Sequence, residues 1–242
     1  MKFKLLSSII FLICISLFLA LGFWQLDRAN EKEQIIKLYE KRQLAEPVNL
    51  VIFPKYNIAN TFYKNYKIKG KYLNKTFLLD NKIKNKKPGF NVLSLFKLAK
   101  NGEIILVDRG WILMEGARQD IEENYKFLNN QEIDKNVQEI NGYIYPREKS
   151  YTIGEISTNE SWPRLLQAIN FNEIKNTIKE KELLIPDIVF RLNSKEKFGF
   201  DRSWNIVSMT ASKHLGYAFQ WFSLAIALAV LTILFFVRKK DE

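Results

Sequence analysis

Two long apolar runs without a charged residue, 5–26 and 215–237, stand at opposite ends of the chain. Between them, hydrophobic residues come in short stretches, several of them alternating with polar ones. Roughly 20 apolar residues suffice to cross a bilayer core, and lipid offers the backbone no hydrogen-bond partner, so both runs predict spanning α-helices. The first run has a second reading, a Lys-flanked signal peptide with Ala20-Leu21-Gly22 as a small-x-small cleavage site. A signal core holds only about 7–15 residues. This run continues through Phe23 and Trp24, which predicts an uncleaved anchor. Lys2 and Lys4 precede the first run, and Arg238, Lys239 and Lys240 follow the second. Positive flanks stay in the cytoplasm, so both termini are expected there and 27–213 on the far side. The lysines of that segment do not oppose this, because long loops cross largely regardless of charge.

The intervening segment predicts one domain. In 27–42, Ile35, Ile36, Leu38 and Tyr39 recur near helical spacing, which extends the first helix until Pro47 ends it. Period-two alternation then takes over. Strands are expected over 66–73, 76–79, 90–98, 103–107, 137–145 and 188–192, with a turn at 86–89 and a hairpin at Asn101-Gly102. A helix is expected from Pro163, with Leu165, Leu166, Ile169 and Ile174 on its buried face. Asp108-Arg109-Gly110-Trp111 is expected to form a tight turn at a strand end, with Gly110 at positive φ. There Arg109 would pair with a carboxylate and Trp111 fill the core, or else both would meet a partner. The predicted fold class is α+β: two transmembrane helices, 5–26 and 215–237, flanking a β-rich periplasmic domain, 27–213, built on an antiparallel, barrel-like sheet.

Composition narrows the function. The net charge of +11 allows anionic lipid, an acidic partner or a plain drift toward lysine. A domain outside the cytoplasm rarely meets nucleic acid, so none is expected. Cys14, the single cysteine, lies inside a span, which leaves no disulfide framework and no C-x-x-C site. No phosphate-binding or dinucleotide glycine motif occurs. With one histidine there is no two-histidine metal site. The chain is therefore not expected to be an enzyme.

That histidine, His214, stands where a charged segment gives way to the second apolar run. On a helix it shares a face with Tyr217, Ala218, Trp221 and Ala225. A neutral imidazole is the form that ligates a metal. An apolar face with such a ring at its rim could hold a haem, with Lys213 near the propionates. Equally, a polar aromatic at a membrane boundary serves as an interface anchor, as Tyr217 and Trp221 would. In the first run Leu17, Leu21, Trp24 and Arg28 align, with Gln25 beside them. Trp24 and Arg28 carry the same two readings, anchors or a haem-facing surface on which Arg28 pairs with a propionate. Ser16 with Ala20, and Ala225 with Ala229, are small pairs that would let the helices approach.

Four motifs in order extend this picture. L-G-F-W-Q-L-D-R (21–28), L-L-D-N (78–81) with P-G-F-N-V (88–92), I-L-V-D-R-G-W (105–111) and H-L-G-Y-A-F-Q-W-F (214–222) resemble those of the Surfeit-locus family. That family comprises assembly factors of haem-copper cytochrome oxidase. Glu31, Leu113 and Ser212-Lys213 depart from the commonest family residues. The resemblance implies a role at haem a insertion into, or stabilisation of, the catalytic subunit of cytochrome c oxidase. It implies haem a as a transient cofactor and His214 as its iron ligand, with Tyr217, Trp221, Trp24 and Arg28 around it. The implied partners are that subunit, haem a synthase and the bilayer. Nothing resembling a transit peptide precedes the first run, which points to a bacterial inner membrane. The alternatives are a scaffold for the oxidase subunit without haem, and an unrelated membrane-anchored periplasmic enzyme.

Overall fold

The computed structural model describes residues 2–50, 52–53, 57–130, 136–146, 161–178 and 184–238. Lys239 and Lys240 lie outside the described residues. In chain order the elements are α1 (Lys2–Gln43), β1 (Val48–Asn49), a 3-10 turn (Ile58–Thr61), β2 (Asn65–Lys84), β3 (Lys87–Leu98), β4 (Ile104–Leu113) and a second 3-10 turn (Arg118–Asp120). The single-turn helices α2 (Ile121–Asn124) and α3 (Phe127–Asn130) follow, then β5 (Gln138–Tyr145), β6 (Arg164–Leu166), α4 (Phe171–Thr177), β7 (Leu184–Leu192) and α5 (Ala211–Arg238). They form two compact units, Met1–Glu40 with Asn205–Glu242, and Lys41–Trp204.

In the first unit, α1 and α5 are long and apolar enough to cross a membrane, over Leu6–Gln43 and Ala211–Val237. Large apolar side chains such as Leu12, Ile13, Phe23, Ile226 and Ile233 stand exposed along both. Water would oppose this, whereas lipid favours it. No proline interrupts α1, which runs on through the charged residues after Leu26 as expected. Its last carbonyls are met within the second unit, where Asn65 Nδ2 donates to Gln43 O at 3.0 Å.

The second unit is a mixed sheet with a circular strand path. Pairing runs β2-β3-β4-β7-β5 and returns from β5 to β2. The sheet is not purely antiparallel as expected, because β4 pairs β7 in parallel and β1 and β6 pair β2 in parallel. A parallel pair needs a long crossover, and the chain from β4 to β7 supplies one. Alternate residues bury one face: Tyr66, Ile68 and Tyr72 of β2 meet Phe96, Val107, Ile144 and Phe190 from the other four strands. On the opposite face Leu93, Leu95, Leu106 and Val189 pack beneath Phe171 and Ile174 of α4. A smaller cluster joins Phe90 and Val92 to Ile121 of α2, Leu128 of α3 and Tyr125 in the turn between them. With both faces covered, β4 has no need of alternation and reads as an unbroken I-I-L-V.

Several elements differ from the pattern-based expectation. Residues 66–73 and 76–79 belong to one strand, β2, with a register shift between Tyr72 and Thr76. Pro88 and Gly89 lie in β3 rather than in a turn, and Asn85-Lys86 make the turn instead. Leu165 and Leu166 pair with Leu78 and Leu79 as a strand, and the helix begins only at Phe171, capped by Asn170. Asp108–Trp111 is not a turn but a bulge inside β4, opposite Asn91–Leu93. Gly110 does take positive φ there, at 118°.

The bulge organises buried charge. Asp108 accepts from Asn91 Nδ2 (2.9 Å) and Gly110 N–H (3.2 Å), with Arg191 Nε at 3.7 Å. Burial pushes the Asp108 carboxyl up, against the pull of Arg191. The Arg191 guanidinium lies over the Tyr145 ring at 3.3 Å and the Trp204 ring at 4.7 Å. Arg109, expected beside a carboxylate, is fully buried and donates to Phe198 O (2.7 Å) and Ser94 Oγ (3.2 Å). Trp111 is half-buried and donates through Nε1 to Lys82 O of β2 at 2.8 Å, so it ties β4 to β2 rather than filling the core.

A Cβ at Gly110 would sit 2.8 Å from the Asp201 carbonyl, in a backbone conformation L-residues rarely adopt. Gly110→Ala is expected to lose about 1–3 kcal/mol in urea unfolding of the detergent-solubilised chain. An unchanged midpoint would show that the bulge tolerates a side chain. The buried hydroxyl of Tyr72 has no hydrogen-bond partner among the described residues. Desolvation raises its phenol far above the ordinary value, although Arg109 acts the other way. The fold therefore favours the neutral phenol. That contribution is whole below about pH 10, the unfolded value, and is lost as pH rises beyond it. Tyr72→Phe should match wild type near pH 7 and lose less stability on going to about pH 11. Parallel alkaline losses in the two proteins would contradict the assignment.

Candidate functional site

The chain's single histidine lies in the first turn of α5. Thr210 starts that turn, its carbonyl accepting from His214 N–H at 3.3 Å and its hydroxyl from Lys213 N–H at 3.4 Å. Capping by a threonine side chain is what a helix start calls for, since the first backbone donors have no partner within the helix. The His214 ring is buried, and its Nδ1 lies 2.7 Å from Gln25 Oε1 of α1. Its Nε2 is buried and has no hydrogen-bond partner among the described residues.

The two helices meet along a line of side chains. On α1, Gly22, Gln25 and Ala29 are buried, three and four residues apart, as one helical face requires. On α5 the buried positions are His214, Ala218 and Ala225. Phe23 meets Phe222 edge-on at 5.3 Å, Phe18 stacks on Trp221 at 5.8 Å, and Phe11 meets Phe235 at 6.1 Å. A Cβ at Gly22 would come within 2.5 Å of the Phe222 ring, so glycine leaves the room that this aromatic occupies.

Of the expected site residues, His214 and Trp221 turn toward the opposite helix. Tyr217, Trp24 and Arg28 are exposed. Arg28 lies 5.6 Å over the Trp24 ring and pairs with Glu31 at 2.5 Å. Among the described residues, the side-chain hydrogen bond of His214 goes to Gln25 and to none of these three. Ser16 and Ala20 are exposed too, and the small residues that α1 buries are Gly22 and Ala29. Gln25, beside the Trp24 face in the sequence pattern, is the residue that reaches His214. A polar amide inside an apolar run was the available signal, because such a group seeks a partner on another helix. Among the described residues no three His, Cys, Asp or Glu side chains gather into a metal-binding group. Any metal held here would rest on one imidazole nitrogen.

A pair of apolar helices carrying a buried, half-satisfied histidine, on a chain with a mixed β unit, defines a membrane protein of α+β class. The profile of the SURF1 family matches residues 12–226, and the chain belongs to that family. It is similar to the SURF1-like protein of Rickettsia felis, 27% identical over 239 residues covering 95% of this chain and 96% of that one. A SURF1-like protein of Rickettsia prowazekii is 29% identical over 225 residues, 89% and 84% of the two chains. One from Monosiga brevicollis is 29% identical over 103 residues, covering 38% and 39%.

Proposed function

We propose that this chain is an assembly factor for haem-copper cytochrome c oxidase that carries haem a, as cargo, on His214. The observation behind this reading is the buried Nε2 of His214, which has no hydrogen-bond partner among the described residues. A buried polar atom left unsatisfied costs about 1–3 kcal/mol. Coordination to haem iron would remove that cost, since imidazole nitrogen is a common axial ligand. The fit is with a single strong ligand. Trp221 and Ala218 supply apolar surface beside it, and exposed Lys213 is the adjacent cation for a propionate. Arg28 is engaged by Glu31, and Tyr217 and Trp24 fit the role of interface anchors. One ligand per chain suits a carrier that must give its cargo up. The recipient is the oxidase's catalytic subunit and the donor is haem a synthase.

The chain itself performs no catalysis in this reading. It sits in a bacterial inner membrane with both termini cytoplasmic. Residues 5–26 and 215–237 span, and 27–213 form the periplasmic domain. The exposure of Tyr217, Trp24 and Arg28 favours a second reading, a scaffold for the oxidase subunit that holds no haem.

Expression in cells that make haem a, with gentle purification, is expected to yield a Soret band that His214→Ala abolishes or shifts. Deleting the gene should lower haem a-type oxidase activity with unchanged subunit transcripts. Wild type should restore the activity and His214→Ala should not. A colourless wild type, with full rescue by His214→Ala, would leave the scaffold. Unchanged oxidase in the deletion strain would reject assembly altogether. Reporter fusions at the Asn101-Gly102 hairpin should report from the periplasm, and a cytoplasmic signal there would overturn the topology.

A further inference from the structure

We infer that Gln25 is the positioning residue for His214: its amide oxygen accepts the Nδ1 proton and leaves Nε2 as the nitrogen with a free electron pair. The metal-facing half of this inference rests on the haem reading above; the proton assignment stands without it.

The geometry is specific. Nδ1 and Oε1 lie 2.7 Å apart, the residues are 189 positions apart in sequence, and both are buried. Gln25 shares its helix face with Gly22 and Ala29, so the amide is aimed at α5 by the same periodicity that buries those two. A carbonyl oxygen only accepts hydrogen bonds. With Oε1 against it, Nδ1 must carry the proton, and a neutral ring then has none on Nε2. The opposite amide orientation would place an N–H against Nδ1 and force the proton onto Nε2. That leaves a buried N–H donor without an acceptor, and closes the nitrogen to any metal. Metal-ligating histidines commonly donate their other N–H to an oxygen in this way, which fixes both tautomer and ring orientation. An amide oxygen is a weaker acceptor than a carboxylate. It orients the ring without drawing the proton away, which suits a ligand meant to let go.

Substitutions separate acceptor from donor. Gln25→Glu in its ionised form keeps an acceptor and removes every donor, its ionisation being checked by the carboxyl carbon shift of the labelled side chain; Gln25→Leu removes both. Because the chain has a single histidine, ring-labelled protein gives one imidazole spin system. Long-range proton–nitrogen correlation on the full chain in detergent, at mildly alkaline pH and without haem, reads the tautomer directly. Wild type and Gln25→Glu are both expected to show Nδ1 protonated and Nε2 bare. Gln25→Leu should shift toward the Nε2-protonated form, with helix content by circular dichroism checking that it still folds. Titration with haem a should then show Gln25→Glu binding as tightly as wild type or tighter, and Gln25→Leu about 10–100-fold more weakly. A protonated Nε2 in wild type, or a tautomer that differs between wild type and Gln25→Glu, would overturn the inference. So would an unchanged pattern in Gln25→Leu. If the tautomers come out as expected and no variant binds haem, the cargo reading fails and the positioning role of Gln25 remains.

Discussion

The sheet depends on the uninterrupted length of β2. Its first residues, Asn65–Gly70, pair with β5, and Gly70–Lys84 pair with β3, so one strand supplies both ends of the circular path. Phe77–Leu79 take β6 as well. A strand half as long would leave β3 or β5 with a row of unpaired donors and acceptors, which invites pairing with other chains. The two buried faces follow from this arrangement. Tyr66, Ile68 and Tyr72 point to one apolar cluster, and Phe77 and Leu79 to the other. The register shift after Tyr72 lies between these two sets.

How far the sequence foretold this varies with the range of the interaction. Length alone revealed the two apolar helices, and Asn101-Gly102 revealed the β3–β4 hairpin, because both signals are local. The continuity of β2 was hidden by Asn74-Lys75, a polar pair that reads as a break. Exposed or half-buried at an irregular point in the pairing, it costs the strand little. Leu165 and Leu166 looked helical because a short apolar stretch fits either period, and only pairing with Leu78 and Leu79 settles it. Asp108–Trp111 carried the right residue for a positive φ. The chain continues in β4 through Gly110 because Trp111 and Asp201 exchange backbone hydrogen bonds across the bulge.

The candidate site's contact between the two helices was legible by half. A lone histidine at the edge of an apolar run marks itself, whereas its partner does not. Gln25 is set apart from its neighbours only by lying on the buried face of α1, with Gly22 and Ala29. Its sequence neighbours Trp24 and Arg28 belong to the adjacent exposed face, where Arg28 lies over Trp24 and pairs with Glu31. Family likeness could point to His214. It could not show which of the ring's two nitrogens is engaged.

The circular strand path also sets an order of events during synthesis. Among the described residues β7 is the last strand made, and it is the only link between β4 and β5. Until Leu192 has emerged, those two strands each present an open edge, and contacts such as Val107 with Phe190 have no counterpart. Contacts so distant in sequence carry a loop-closure cost that slows folding. The unit therefore cannot complete itself as it is made, but only once β7, the strand that precedes α5 in chain order, has been added.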